Sequence, residues 1–304
     1  MEESDVVLQD GRTLAYTDCG DPGGPPVLSF HGTPSCRFPG PWEAAARSVG
    51  VRLISPDRPG YGRSDFHPGQ KLLDWPADAA ELADSLELRS FAVVGTSGGG
   101  PYAAACAYAL PERVSAAALV CGVGPFWDVP EVDACATAEA GGWLRELIDL
   151  ARVDPAAAVA HAREECEQDA EMVARDPEEW LRFWFESEDV PPPDREAVTH
   201  HDDREALVIT LREALRPGIE GYVQDELILA IQPWGFRPQE IRVPVSIWHG
   251  ELDRLVPVGA ARYLARVIPH SSARFLPGDA HMIHIRHAEE IFGGLVDVMS
   301  PVRS

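Results

Sequence analysis

A serine stands at the centre of Gly95-Thr96-Ser97-Gly98-Gly99, a G-x-S-x-G sequence between an apolar run and a helical one. In that context the serine occupies a sharp strand-to-helix turn, and the glycines on either side let the chain pass closely. The amides at the start of the following helix point to where negative charge develops during acyl transfer. The pattern therefore predicts that Ser97 is a catalytic nucleophile rather than part of a glycine-rich turn without chemistry.

A serine nucleophile needs a general base, and the base needs a carboxylate that orients it. Asp253 comes shortly after an apolar run that ends at Trp248, and His281 follows a later run that ends at Leu276. If both runs are strands of a parallel sheet, their carboxyl ends meet at one edge, where such sheets build their sites. The order Ser, Asp, His is also the order this chemistry takes on such a sheet. We predict a triad of Ser97, Asp253 and His281.

Other residues compete for these roles. Glu251 and Asp128 are alternatives for the acid. His284 and His287 are alternatives for the base, although we expect both to lie already on the last helix. The remaining histidines near these positions are expected at a strand end or on the surface of the helical segment: His249, His200 and His201.

Acyl transfer also needs two amide donors for the oxyanion. One comes from the residue after the nucleophile, which is Gly98, and the other from the loop after an earlier strand. Thr33 fits the second role, because it lies in His31-Gly32-Thr33-Pro34 directly after an apolar run. We expect His31 to shape this loop rather than to act in catalysis.

The segments around these motifs alternate between apolar runs and helical patterns. An antiparallel pair, 6–9 and 13–18, is joined at Asp10-Gly11, a dipeptide that favours tight turns. Further strands are predicted at 27–30, 51–55, 91–95, 114–121, 243–248 and 273–276, and helices at 76–86, 101–110, 258–267 and 287–298. This alternation predicts an α/β fold with a mostly parallel sheet and helices on both faces.

The alternation stops between residues 126 and 240, where acidic, alanine-rich helical stretches are broken by prolines. We predict a core in two parts, 1–125 and 241–304, with 126–240 inserted as a helical cap. The cap is rich in aromatic residues: Trp127, Trp143, Trp180, Phe183, Trp184, Phe185, Trp234 and Phe236. They line an apolar pocket or form the seam where the cap packs on itself, and the helical spacing around Trp180 favours the seam.

The composition excludes several classes of function. With 26 Lys and Arg against 49 Asp and Glu, the formal charge of −23 repels nucleic acids and anionic lipid surfaces. The six cysteines are scattered without zinc spacing, so we predict reduced thiols, no metal and no cofactor. The chain shows neither a signal-peptide pattern nor a run of about 18 apolar residues. We therefore expect a cytoplasmic protein that binds neither nucleic acid nor membrane.

Five segments in this order resemble the α/β-hydrolase superfamily: 31–34, 56–64, 95–99, 250–257 and 278–281. The resemblance implies an eight-stranded, mostly parallel sheet under a helical lid, no cofactor, and the triad given above. Capped esterases, lipases, carbon–carbon bond hydrolases and prolyl aminopeptidases are similar. Epoxide hydrolases and haloalkane dehalogenases carry an aspartate at the elbow, so Ser97 argues against both. Asp279-Ala280 departs from the family, in which a second glycine often precedes the histidine.

These observations predict a serine hydrolase that cleaves a carboxylic ester or related acyl bond of a small apolar substrate through an acyl-enzyme. Two alternatives remain open. A lactone or carbon–carbon bond hydrolase would use the same triad under a different cap. A ligand-sensing protein would keep the fold but turn its ligand over slowly or not at all.

Overall fold

The computed structural model describes residues 1–137 and 140–299, without the side chains of residues 201 and 202. The expected surface position of the His201 side chain therefore lies outside the described part. Eight strands form one sheet in the order β1-β2-β4-β3-β5-β6-β7-β8. Their bounds are β1 Glu2–Val7, β2 Thr13–Gly20, β3 Pro26–Phe30, β4 Arg52–Pro56, β5 Phe91–Thr96, β6 Val114–Val120, β7 Val245–Gly250 and β8 Ser271–Leu276.

One strand next to the edge, β2, makes the sheet mixed. β2 pairs antiparallel with β1 and with β4, and every other pair of neighbours is parallel. The predicted mostly parallel eight-stranded sheet is confirmed. The predicted opening hairpin is also present, with Val7 opposite Thr13.

The described residues form thirteen α-helices and two short 3₁₀ helices. The α-helices are α1 Pro41–Val49, α2 Trp75–Ser85, α3 Gly99–Ala109, α4 Pro130–Asp133, α5 Gly142–Val153, α6 Pro155–Arg175, α7 Pro177–Phe185, α8 Pro192–Thr199, α9 His201–Ala214, α10 Glu220–Ile231, α11 Val258–Val267, α12 Ile283–Arg286 and α13 Ala288–Met299. The 3₁₀ helices are Leu72–Asp74 and Pro238–Glu240. No helix within the described ranges is both long enough and apolar enough to cross a bilayer.

The central strand β5 shows why the core has two layers of helices. Side chains alternate between the two faces of a strand. Phe91 and Val93 accordingly pack in the cluster that contains α2 and α3, whereas Ala92 and Val94 pack in the cluster with α1 and α13. Burial on both faces explains why β5 is a continuous apolar run rather than an alternating one.

The stretch from the end of β6 to the start of β7 carries the helices α4 to α10, joined by loops, and its described residues include no strand. Its first long helix joins the core directly, since Leu144, Leu147 and Ile148 of α5 belong to the same hydrophobic cluster as α2 and α3. A second cluster lies within the stretch and includes Trp180 and Leu181. Met282, which follows His281, packs in this second cluster.

The sequence patterns missed one helix and misplaced two histidines. The helix α1 was not expected, although its buried face of Trp42, Ala45 and Ala46 holds it against the sheet. His284 lies on the separate four-residue helix α12, and His287 follows that helix, so neither residue lies on the final helix. The chain turns between α12 and α13 instead of forming one continuous helix.

Candidate active site

Ser97 lies in a strained turn between β5 and α3. Its φ of 53° is in the left-handed region, which residues with a side chain rarely adopt. A Cβ on Gly95 would come 2.1 Å from the carbonyl oxygen of Gly99, and a Cβ on Gly99 would come 2.1 Å from that of Phe30. Both positions therefore require glycine, as the sequence pattern predicted. The amide of Ser97 donates to the carbonyl of Val120 at 2.9 Å, which ties the turn to β6.

The loop after β3 lies directly against this turn. A Cβ on Gly98 would come 2.3 Å from Oγ1 of Thr33, and a Cβ on Gly32 would come 3.5 Å from Cβ of Ser97. Among the hydrogen bonds of residues 1–137 and 140–299, none is donated by the backbone amide of Thr33 or Gly98. The two predicted oxyanion donors thus lie on adjoining segments beside Ser97, and neither of their amides is used in a hydrogen bond within the described residues.

Arg58 braces the loop that carries Thr33. Its guanidinium donates to the carbonyls of His31 and Gly32 and to Oγ1 of Thr33. It also pairs with Asp225 of α10, and both side chains are almost completely buried. Residues 31–33 are therefore held by the guanidinium of Arg58, and the carboxylate of Asp225 in the helical segment balances the charge of that guanidinium. Sequence reasoning did not assign Arg58 a role, although it lies in the segment 56–64 that carried part of the resemblance.

His31 belongs to this framework rather than to the reacting groups. Its Nδ1 lies 2.8 Å from the carbonyl oxygen of Gly32, and its Nε2 accepts the amide hydrogen of Arg58 at 3.0 Å. Burial and the neighbouring Arg58 charge hold the pKa of His31 well below its ordinary value. The ring is neutral and both of its nitrogens contact the backbone. A structural role in the loop therefore explains the position of His31.

Asp253 and His281 lie together although 28 residues separate them in sequence, and Nδ1 of His281 is 2.8 Å from Oδ2 of Asp253. The other carboxylate oxygen of Asp253 accepts the amides of Leu255 and Val256, each at 2.9 Å. Nε2 of His249 lies 3.3 Å from Oδ2 of Asp253. The carboxylate is therefore fixed from several sides and oriented toward the imidazole.

The environment favours the ionised form of Asp253 and the protonated form of His281. Burial by itself raises the pKa of Asp253, but the positive charge available on His281 and hydrogen bonds from His249 and His281 outweigh burial and lower it. Burial by itself lowers the pKa of His281, but the Asp253 charge, their hydrogen bond and the charge of Asp194 raise it above its ordinary value. Asp253 thus remains ionised, and an imidazolium on His281 is stabilised when it forms.

The alternative acids are engaged elsewhere. Glu251 forms an ion pair with Arg262 at the surface. Oδ2 of Asp128 accepts the amide of Trp234 at 2.9 Å. Neither carboxylate is among the hydrogen-bond or ion-pair partners of the described histidines.

The alternative bases are also poorly suited. Burial and the nearby His281 charge lower the pKa of His284 to about 3, so this ring stays neutral and cannot readily accept a proton. His287 lies between Asp279 and Glu290, at 3.0 Å and 2.9 Å. The structure therefore brings Asp253 together with His281 and not with either rival.

Ser97 and His281 both line one cavity of about 520 Å³. The hydrogen bonds of the described residues include none between these two side chains. Six aromatic residues of the helical segment line the same cavity: Trp143, Trp180, Phe183, Trp184, Phe185 and Tyr222. Trp234 and Phe236 instead pack against each other and, through Phe236, on Tyr108. Some of the aromatic residues predicted to lie in the cap thus line the cavity, and others pack against one another away from it.

The cavity also has an acidic wall. Glu165, Asp169 and Glu226 line it. Burial and the neighbouring carboxylates, Asp225 above all, raise the pKa of Glu226 well above its ordinary value. Within the described part of the chain Glu226 has no ion-pair partner. Burial likewise raises the pKa of Glu165 and of Asp169, so the neutral forms of these groups are favoured, and the described lining of the cavity includes no Lys or Arg.

One group of potential metal ligands occurs among the described residues, and it consists of Cys121, Asp253 and His281. Burial raises the pKa of the Cys121 thiol well above its ordinary value, so the thiol stays protonated and is a poor ligand. Nδ1 of His281 already bonds Asp253. The group is better explained as the hydrogen-bonded pair of Asp253 and His281 with a buried thiol beside it.

The sequence matches the family model for the alpha/beta hydrolase fold over residues 25–288, and the chain belongs to this family. A non-heme chloroperoxidase of Streptomyces lividans is 38% identical over 125 residues, which cover 40% of this chain and 45% of that protein. The match thus spans less than half the length of this relative. A 2-hydroxymuconate semialdehyde hydrolase of Pseudomonas putida is 26% identical over 295 residues, covering 96% of this chain and 92% of that protein.

Solved structures share the fold at low sequence identity. An esterase from Exiguobacterium antarcticum superposes with a TM-score of 0.69 at 20% identity, covering 98% of this chain and 99% of that one. At this identity the likeness concerns the fold alone. The family match over residues 25–288 confirms the resemblance to the α/β-hydrolase superfamily, while the proposed roles of individual residues rest on the geometry given above.

Proposed function

We propose that this protein is a serine hydrolase that cleaves a carboxylic ester or related acyl bond of a small substrate. Ser97 is the nucleophile, His281 the general base and Asp253 the carboxylate that orients the base. Residues 126–240 act as the cap over the site. The proposal rests above all on the 2.8 Å contact between His281 and Asp253 in the wall of the cavity that Ser97 also lines.

The chemistry follows from the positions of these groups. Nε2 of His281 takes the proton of the Ser97 hydroxyl while Oγ attacks the substrate carbonyl carbon. The amides of Gly98 and Thr33 donate to the oxyanion that forms. The imidazolium then gives its proton to the leaving alcohol, and the acyl group remains on Ser97. Water, deprotonated by His281, attacks this acyl-enzyme and releases the acid and the free serine.

The cavity suggests which substrates fit. Aromatic side chains provide an apolar surface beside Ser97, in accord with the apolar substrate predicted from the sequence. An anionic acyl chain would find no Lys or Arg to pair with among the described residues of the lining, where the buried acids Glu165, Asp169 and Glu226 lie instead. We therefore propose that neutral acyl groups are preferred. The cytoplasmic location inferred from the sequence stays a prediction.

A pair of esters that differ mainly in charge tests both the reaction and this preference. We expect p-nitrophenyl butyrate to be hydrolysed with a higher kcat/KM than p-nitrophenyl hemisuccinate, whose acyl chain ends in a carboxylate. Ser97→Ala should abolish both activities. Equal or faster turnover of the hemisuccinate would refute the charge preference. Covalent labelling of Ser97 without turnover of any ester would favour the ligand-sensing alternative.

A carbon–carbon bond hydrolase remains the second candidate, because the 2-hydroxymuconate semialdehyde hydrolase of Pseudomonas putida aligns with nearly the whole chain. The same triad would serve it. Turnover of a vinylogous 1,5-diketone several orders of magnitude faster than that of p-nitrophenyl butyrate would support this candidate over the esterase.

A further inference from the structure

We propose that Asp194, a carboxylate of the helical cap, is a positioning residue for His281. It holds the backbone at His281 and Met282, here called the histidine loop, and places a second negative charge near the imidazole of His281. The inference rests on the proposed function, in which His281 is the base. It assigns to the cap a part in catalysis beyond covering the substrate.

Asp194 contacts the histidine loop through two hydrogen bonds. Oδ2 of Asp194 accepts the amide of His281 at 3.0 Å, and Oδ1 accepts the amide of Met282 at 2.7 Å. The Asp194 side chain is buried, with 3% of the residue exposed. A buried carboxylate that uses both oxygens on two successive amides fixes the direction of the backbone that carries the imidazole.

The two amides need such a partner. They precede the first turn of α12, where no earlier helical carbonyl is available to accept them. The loop is also pressed against the core, since a Cβ on Gly250 would come 2.2 Å from the carbonyl oxygen of Ala280. The core therefore supports one side of the loop, and Asp194 supports the other.

Asp194 belongs to α8, 87 residues away from His281 in sequence. Met282 packs in the hydrophobic cluster of the cap, together with Trp180 and Leu181. The base is therefore bound to the cap by two hydrogen bonds and by an apolar contact. A displacement of α8 would move the imidazole relative to Ser97, so the position of the cap sets the alignment of the base.

The charge of Asp194 adds to that of Asp253. The titratable groups around the imidazole are Asp253 and His249 from β7 and the loop after it, Cys121 after β6, His284 on α12 and Asp194 on α8. The Cys121 thiol is protonated, so the two aspartates are the groups among them that can carry negative charge beside the imidazolium. Burial raises the pKa of Asp194, whereas the charge of His281 and the two amide hydrogen bonds act in the opposite direction and favour its ionised form. Removal of Asp194 therefore destabilises the imidazolium and lowers the pKa of His281.

The decisive variant is Asp194→Asn. Its side chain has one acceptor oxygen and an NH₂ group, so it satisfies only one of the two amides and carries no charge. We expect kcat/KM for p-nitrophenyl butyrate to fall about 10-fold to 100-fold, mainly through kcat, because the base is misplaced. The acid limb of the pH profile should move to lower pH. Asp194→Glu keeps the charge and should keep the acid limb of the wild type.

Asp154→Asn is the matched control. Asp154 also accepts two backbone amides at the start of a cap helix, those of Ala156 and Ala157, but it is exposed at the N-cap position of α6. This variant should keep wild-type kcat and pH dependence. A purely structural role of Asp194 would reduce thermal stability or rate and leave the acid limb in place, and that result would overturn the proposal.

A measurement on the wild-type protein covers the case in which Asp194→Asn does not fold. The amides of His281 and Met282 should exchange with solvent as slowly as those of β7, because a buried carboxylate holds both. Rapid exchange of both would overturn the proposal. Failure of the proposed function would look different, since wild-type protein would then show no Ser97-dependent hydrolysis while the two amides stayed protected.

Discussion

Nδ1 of His281 lies 2.8 Å from Oδ2 of Asp253, and both side chains are buried. Asp253 in turn accepts two backbone amides through its other oxygen. The hydrogen on Nδ1 is therefore directed to the carboxylate, which leaves Nε2 unprotonated in the neutral ring. A neutral imidazole held in this tautomer is the form that accepts a proton from a serine.

The activity should rise with pH through the pKa of His281. The base acts only when neutral, and the charges of Asp253 and Asp194 outweigh burial to raise its pKa above the ordinary value of about 6.5. The acid limb of kcat/KM should accordingly lie above that value. Asp253→Asn should lower the rate by up to about 10⁴ and move the limb downward. An unchanged rate in Asp253→Asn would rule out this carboxylate as the orienting group.

Alanine variants of two neighbouring histidines separate the base from its rival. His281→Ala should abolish ester hydrolysis, whereas His284→Ala should be far milder, because His284 is a buried, neutral ring on α12. The two variants are to be compared on one ester, with thermal melting as the check on folding. If His284→Ala is the inactive one and His281→Ala retains activity, the base is misassigned.

The buried ion pair between Arg58 and Asp225 should be costly to break. Asp225→Ala leaves the guanidinium buried without its counter-charge, and we expect a loss of about 3–5 kcal/mol in the free energy of unfolding. Asp84→Ala is the control, because Asp84 pairs with Arg113 at an exposed position and should lose about 0–1 kcal/mol. Urea denaturation measures both. Equal losses would mean that Arg58 does not depend on Asp225.

The elements that carry the site could be predicted from local patterns. The elbow at Ser97 needs glycines at fixed spacing, and the strands before Asp253 and His281 are short apolar runs, so a few consecutive residues reveal each of them. The position of His284 was harder, because the four-residue helix α12 is too short to leave a periodic pattern.

The supports of the site could not be predicted in this way. The contact of Arg58 with Asp225 joins residues 167 apart, and that of His281 with Asp194 joins residues 87 apart. Asp194 looks in sequence like an acidic residue in the first turn of a helix, a common position that gives no hint of a distant partner. Only the packing of the helical segment against the sheet and its loops brings these carboxylates to the groups they hold.

Chelation of metal ions should leave the activity unchanged. The proposed nucleophile and base are supplied by Ser97 and His281, and the group Cys121, Asp253 and His281 contains a protonated thiol. Activity toward p-nitrophenyl butyrate is to be measured before and after prolonged treatment with EDTA. Loss of activity that zinc or manganese restores would contradict the proposed mechanism.

The reaction of Ser97 with a fluorophosphonate probe tests the central claim most directly. Intact-mass and peptide analysis should find one label per chain, on Ser97, and Ser97→Ala should take none and lose about 10⁴-fold to 10⁶-fold in activity while remaining folded. Ser35→Ala is the control, because Ser35 lines the same cavity and should leave the labelling unchanged. Labelling at another residue, or a tenth of the wild-type activity in Ser97→Ala, would contradict the assignment of the nucleophile.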